Sequence, residues 1–115
     1  MERLKHRADF LAAARGVKVQ AGAFVLQARE RGDAAPPRFG FTVSKKVGSA
    51  VERNRVRRRL REVVRRHAAL LPQTGHDYVL IGRRAALQAP FEAMAAEFTG
   101  ALRRLRKRGA AESMT

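Results

Sequence analysis

The chain of 115 residues contains no cysteine. That excludes a disulfide scaffold and any thiolate metal site, and it fits a reducing compartment. No apolar run approaches the roughly eighteen residues that a membrane-spanning helix requires. The opening MERLKHRADF lacks the apolar centre of a secretory signal, so the expected location is the cytoplasm, with no membrane partner. Acidic residues are scarce and scattered, with no two at a spacing that clearly makes a metal site. His6, His67 and His76 form neither an i,i+4 pair nor a ligand spacing. Ser44 and Ser49 have no adjacent base, and Lys45 to Gly48 matches no phosphate-binding glycine loop. No catalytic side chain, bound metal, bound cofactor or small-molecule substrate is therefore expected of the chain itself.

What is abundant is positive charge. Lys and Arg number 25 against 10 Asp and Glu, a formal net charge of +15. Most of the 25 are arginine, whose planar fork suits bidentate phosphate contact and base stacking better than an ammonium does. RNA or DNA is the expected partner. The apolar fraction of 45% is ordinary for a globular chain, and the length suits one domain, residues 1–108, with a frayed tail at 109–115.

The charge concentrates between Lys45 and Arg66, where ten basic residues face only Glu52 and Glu62. Ser49 followed by Glu52 predicts a capping box, in which each side chain accepts a free N–H of the other residue at the start of a helix. Beyond it, Val56, Leu60, Val63, Val64, His67 and Leu71 recur at helical spacing and form one apolar stripe, which places His67 in or beside the core. Asn54, Arg57, Arg58, Arg61 and Arg65 fall opposite the stripe. Arg55, Arg59, Glu62 and Arg66 lie along one flank, and Arg53 sits near the stripe's edge. An ordinary solvated helix face mixes charges of both signs, because opposite charges at i,i+4 attract. Here Arg57, Arg61 and Arg65 repel one another at that spacing, which suits a face normally covered by a polyanion.

Around this helix, expected to end near Leu71 before Pro72 and Gly75, the remaining elements can be read in order. RADFLAAAR, from Arg7 to Arg15, predicts a short helix closed by Gly16 in the left-handed position, with one of Phe10 and Leu11 anchored and the other facing outward. Strands are expected at Val17 to Gln20, Ala23 to Glu30, Arg38 to Ser44 and His76 to Gly82. The segment 31–37, with Pro36 and Pro37, serves as a connection. In the third strand Phe39, Phe41 and Val43 share one face, and Gly40 on the other permits close approach. Strand, long helix and strand make a βαβ unit, parallel if both strands join one sheet. Phe91, Met94, Ala95, Phe98, Leu102 and Leu105 predict an amphipathic closing helix after Pro90.

The block RFGFTVSKKVGSAVERNRVRRRLRE closely resembles the protein subunit of bacterial ribonuclease P. The likeness rests on Val43 to Gly48, the Ala50-Val51 step, and Arg53, Asn54, Arg55, Arg57, Arg58 and Arg61. RLKHRADF with Gly16, FVL at 24–26 and YVLIGR from Tyr78 extend it over nearly the whole chain up to about Arg104. This resemblance implies an α/β two-layer sandwich, a four-stranded sheet with about three helices, of the ribosomal S5 domain 2-like type with a left-handed βαβ crossover. It also implies a chain that assists a catalytic RNA in cutting the 5′ leader from precursor tRNA, broadening substrate acceptance and lowering the metal requirement. Hydrolysis is then performed by Mg²⁺ held on the RNA.

The RNA-binding residues so implied are Lys45, Lys46, Arg53, Asn54, Arg55, Arg57, Arg58, Arg61 and Arg65, with Phe10 beside a cleft for the single-stranded leader. Two positions depart from the family pattern: Ala14 stands where a second aromatic is common, and Gln27 where Tyr is common. A basic ribosomal protein or RNA chaperone would explain charge and size but not the SKKVG to Arg-Asn-Arg block. The scattered acids disfavour a protein-only metal nuclease.

Overall fold

The structure is a computed structural model that describes residues 2–67 and 74–113, with side chains through residue 107. Its elements are β1 (Glu2–Arg3), α1 (Arg7–Ala14), β2 (Val17–Gln20), β3 (Phe24–Glu30), β4 (Arg38–Thr42), α2 (Ala50–Arg66), β5 (His76–Gly82) and α3 (Phe91–Ser113). Single 3-10 turns at Lys45–Val47 and Arg84–Leu87 precede α2 and α3. No helix among the described residues is long and apolar enough to cross a membrane.

One mixed sheet carries the strands in the order β1-β4-β5-β3-β2. β4 and β5 pair in parallel, Phe39 beside Tyr78 and Phe41 beside Leu80, so β4, α2 and β5 form the expected βαβ unit. β3 runs antiparallel to both β5 and β2. The sheet has five strands where four are expected from the sequence. The extra one, β1, is two residues long and exposed, too short for any alternation to show. It is held beside β4 by the Leu4 N–H donating to the Phe39 carbonyl at 2.9 Å and by burial of the Leu4 side chain.

The α2 stripe is buried as its spacing requires: Val56, Leu60, Val63 and Val64 have no exposure. Each such side chain contributes about 1.5–3 kcal/mol on leaving water. They meet Phe24, Leu26, Phe39 and Leu80 of the sheet and Met94, Phe98, Leu102 and Leu105 of α3 in one cluster. His67 closes the helix at the edge of this core, its Nδ1 2.7 Å from the Val63 carbonyl and its ring 6.3 Å from that of Phe98. The helix is described only to Arg66, so the expected end near Leu71 lies outside the described residues. At the other terminus α3 continues through Ser113, past the point where fraying is expected. Apart from Gly109, the residues there, such as Ala110, Ala111 and Glu112, favour helix.

Sheet, α2 and α3 make the two-layer body, while α1 covers part of the opposite face through Ala13, with Leu4, Val79 and a half-buried Phe10. Leu11 is the outward member of its pair. Two glycines set this packing. A Cβ on Gly40 would run into the Phe10 ring, so the close approach permitted there is made by the protein's own aromatic. Gly16 is not in the left-handed region, contrary to the sequence expectation. It is needed because a Cβ there would overlap the backbone carbonyl of Ala28, where the chain leaving α1 crosses β3.

An ion-pair cluster closes the same face at the start of β5. Asp77 is wholly buried and accepts from Arg38 at 2.8 Å through both Nε and Nη2, from Arg29 at 3.0 Å, and from Arg31. Asp9 on α1 lies 3.6 Å from Arg29 and 3.5 Å from Arg38. Arg31 also donates to the Ala35 and Pro36 carbonyls, at 2.9 and 2.8 Å, pinning the proline-bearing connection.

Candidate nucleic-acid interface

The helix bearing the arginines is fixed at its start from two directions. The Ser49 N–H donates to Glu52 Oε1 at 3.0 Å and the Glu52 N–H donates to Ser49 Oγ at 3.2 Å, the reciprocal pair expected from the sequence. Arg84, from the turn after β5, donates to the Val47 carbonyl and reaches Glu52 at 3.4 Å. The Glu52 carboxyl sits below its ordinary range, chiefly because the Ser49 N–H donates to it, with Arg84 adding to the effect. The turn that presents Lys45 and Lys46, both exposed, is thus tied through the Val47 carbonyl to the turn that follows β5, and its Val47 side chain is buried.

The arginines of α2 fall into three sets. Arg59 is spent on the fold: it donates to the Ala86 carbonyl at 2.6 Å and to the Ala89 carbonyl. Arg65 and Arg66 share Glu62, at 2.6 and 2.8 Å, and the Arg66 guanidinium also lies 4.7 Å over the Phe91 ring. These two arginines, Arg65 first, hold the exposed Glu62 carboxyl at about 2. The third set is Arg53, Arg55, Arg57, Arg58 and Arg61, for which no ion pair is formed among the described residues.

Within that third set, Arg57 donates to Asn54 Oδ1 at 2.8 Å, and Arg61 lies 5.7 Å over the Phe41 ring. Asn54, Arg57, Arg58 and Arg61 line a cleft of about 420 Å³ whose remaining wall is Val51. Arg53 is half-buried, as its place at the stripe's edge predicts, and its Nε, like that of Arg61, is shielded from solvent with no bond among the described residues. The face thus carries several guanidiniums without a carboxylate partner among the described residues, at spacings where like charges repel.

The family resemblance puts Phe10 beside a cleft for the leader, and the structure sets Phe10 apart from the arginine cleft of α2. Phe10 packs with Val79 and Ile81, while α2 packs over Tyr78 and Leu80. Neighbouring residues of a strand point to opposite faces, so Phe10 and α2 lie on opposite sides of the sheet. Gln27, buried on β3, alternates with Leu26 and shares the Phe10 face. Lys45, Lys46 and the α2 residues form one continuous set, and Phe10 forms a second.

Two contributors escape the sequence reading. Arg84 becomes part of the site only because β5 returns beside β4. Val51 is 75% exposed, an apolar residue out of phase with the buried stripe, and that phase mismatch was the available signal. Among the described residues no group of three or more His, Asp or Glu side chains is placed to hold a metal ion.

The arrangement is a rigid, capped helix offering open guanidiniums beside an exposed lysine turn, suited to phosphate contact without sequence reading. Comparison with known proteins agrees with it. The family model described as Ribonuclease P matches residues 1–106. The chain is 51% identical over 109 residues to the ribonuclease P protein component of Gluconacetobacter diazotrophicus, covering 94% of each. It is 48% identical over 105 residues to that of Ruegeria pomeroyi, covering 89% of this chain and 84% of the relative. Among solved structures, the RNase P protein from Thermotoga maritima superposes with a TM-score of 0.76 at 32% identity, covering 90% of this chain and 97% of that one. The Staphylococcus aureus RNase P protein gives 0.74 at 28% identity, with 90% and 94% covered.

Proposed function

The chain belongs to the ribonuclease P protein family, and we infer from that premise that it acts as the protein subunit of ribonuclease P, removing the 5′ leader of precursor tRNA together with a catalytic RNA. The observation that carries the reading is the open guanidinium set Arg53, Arg55, Arg57, Arg58 and Arg61 on a capped helix, in a chain of net charge +15. This set, with Lys45, Lys46 and Asn54, binds the catalytic RNA. Arg65 joins it by exchanging Glu62 for phosphate, an exposed ion pair being worth only about 0–1 kcal/mol. Phe10, on the other side of the sheet, stacks a base of the single-stranded leader. The RNA partners place the protein in the cytoplasm.

Among the described residues no group of carboxylates and histidines is placed to hold a metal ion, and Asp77, Glu62 and Glu52 are each engaged by arginines. Mg²⁺ belongs to the RNA in this reading, where it supplies the activated water. The protein's contribution is to neutralise phosphates that would otherwise repel one another. It thereby lowers the metal concentration at which RNA and substrate associate, and it accepts many leaders because phosphate carries no sequence information.

Cleavage of precursor tRNA at low Mg²⁺ by the catalytic RNA alone, the protein alone and the two together tests this directly. Cleavage is expected only, or far faster, with both. An unchanged rate on adding protein defeats the reading, and cleavage by protein alone would point to a nuclease in its own right. Phe10→Ala is expected to weaken leader binding by about 1–3 kcal/mol with no change in salt dependence. Because the ring is half-buried against Gly40, the variant should also melt lower, so binding is to be measured well below its midpoint.

A further inference from the structure

Val51 and Leu11 are the large apolar side chains left exposed among the described residues, and Val51 is the more exposed, at 75% against 49%. On α2 every other bulky apolar residue is fully buried, so Val51 stands out on a helix otherwise sorted cleanly into core and charge. It is also the one residue common to two clefts. The first is the arginine cleft already described. The second, about 530 Å³, lies on the other flank of the helix start, between α2 and the Arg84–Leu87 turn.

The second cleft has an aliphatic wall, Val51 and Leu87, and a polar rim of Arg55, Arg84 and Gln88. No hydrogen bond or ion pair engages the Arg55 or Gln88 side chain among the described residues. Arg84 is 65% exposed while donating to Val47. The one acid on the rim, Glu52, is already held by the Ser49 N–H and by Arg84, so its charge is compensated.

We propose that Val51 is a wedge between two strand-binding clefts, and that the second cleft holds a single unpaired nucleotide of the catalytic RNA. The inference rests on the reading given under Proposed function. Guanidiniums flank the wedge on both sides, Arg57 and Arg58 on one and Arg55 and Arg84 on the other, so a polyanion crossing the helix start meets cations before and after it. The aliphatic wall has a use only if a base turns its face to it. A paired helix offers phosphates and ribose edges there, whereas an unstacked nucleotide offers a π-face to Val51 and Leu87, its phosphate to Arg55 and Arg84, and a base edge to the Gln88 amide.

The test uses the full chain and the catalytic RNA. Val51→Ala is expected to raise the Kd about ten- to fifteenfold, as loss of two buried carbons at about 0.8 kcal/mol each implies. The salt slope and melting temperature should be unchanged, because the side chain touches no phosphate and is exposed in the free protein. Gln88→Ala should weaken binding severalfold, again with the slope unchanged. The cysteine-free chain allows Gln88→Cys to carry a single iron chelate, and hydroxyl-radical cleavage should fall on an unpaired segment of the RNA. If Val51→Ala and Gln88→Ala bind normally while Arg58→Ala binds weakly, the wedge is overturned and the ribonuclease P reading stands. If Arg58→Ala also binds normally, the underlying reading has failed. Radical cleavage confined to a duplex, or a change in self-association instead of RNA affinity on replacing Val51, would likewise overturn the proposal.

Discussion

Asp77→Asn is expected to destabilise the protein by about 3–5 kcal/mol, because it leaves buried guanidinium groups without their carboxylate. The side chain has no exposure, Arg31 is only 6% exposed, and Arg29 and Arg38 are under a third exposed. The cluster also joins β3, β4 and β5 to α1 through Asp9, so the loss is felt across the α1 face of the sheet. A fall in melting temperature of roughly 10–20 °C is the expected reading by thermal denaturation. A fall of only a few degrees would mean that water replaces the carboxylate, and that the cluster is less secluded than its burial indicates.

The same carboxylate sets an acid limit. Burial pushes the Asp77 carboxyl up, but the hydrogen bonds from Arg38 and Arg31 together outweigh it and hold the group below its ordinary 3.8. A carboxyl depressed by folding stabilises the native state above its unfolded value, and that contribution is lost as pH falls through the folded value. Asp33 is depressed in the same sense, chiefly by Arg31. Melting temperature should therefore hold from neutral pH down to about 4 and drop below it. In the Asp77→Asn protein the drop should be shallower.

The second large effect concerns RNA. Replacing Arg57, Arg58 and Arg61 together by alanine should lower affinity for the catalytic RNA about a hundredfold at 0.1 M salt. Three lost phosphate contacts at about 0.7 each remove roughly two units from the slope of log K against log salt. The full face, with about five contacts, should show a slope of roughly 3 to 4. Folding should be little affected, since none of the three pairs with a carboxylate and the core stripe is untouched. A triple variant that keeps its slope would show that the RNA lies elsewhere on the protein.

The long helix was readable because its signals are local. A capping box lies within one turn, and an apolar stripe repeats every three or four residues, so Ser49, Glu52, Val56, Leu60 and Val63 declare themselves to any window of the chain. The β4 and β5 strands and the closing helix were legible on the same grounds, and the family block drew attention to the arginines of α2. β1 was not legible, since two exposed residues carry no period. Gly16 was misjudged, because a helix-ending glycine suggests the left-handed region while the true constraint is a carbonyl from a strand twelve residues on.

The sequence by itself therefore determined which side of α2 is buried and that the chain is overwhelmingly cationic. Tertiary structure alone decided which cations are open. Arg59, Arg65 and Arg61 look alike in the sequence, yet one holds backbone carbonyls, one a neighbouring carboxylate and one lies over an aromatic ring. Asp77 and the three arginines that donate to it come from positions 29, 31, 38 and 77 and meet only when three strands align. Charge is a property of composition and its sign needs no fold, whereas pairing depends on distance, and distances between residues far apart in the chain exist only once the sheet has closed.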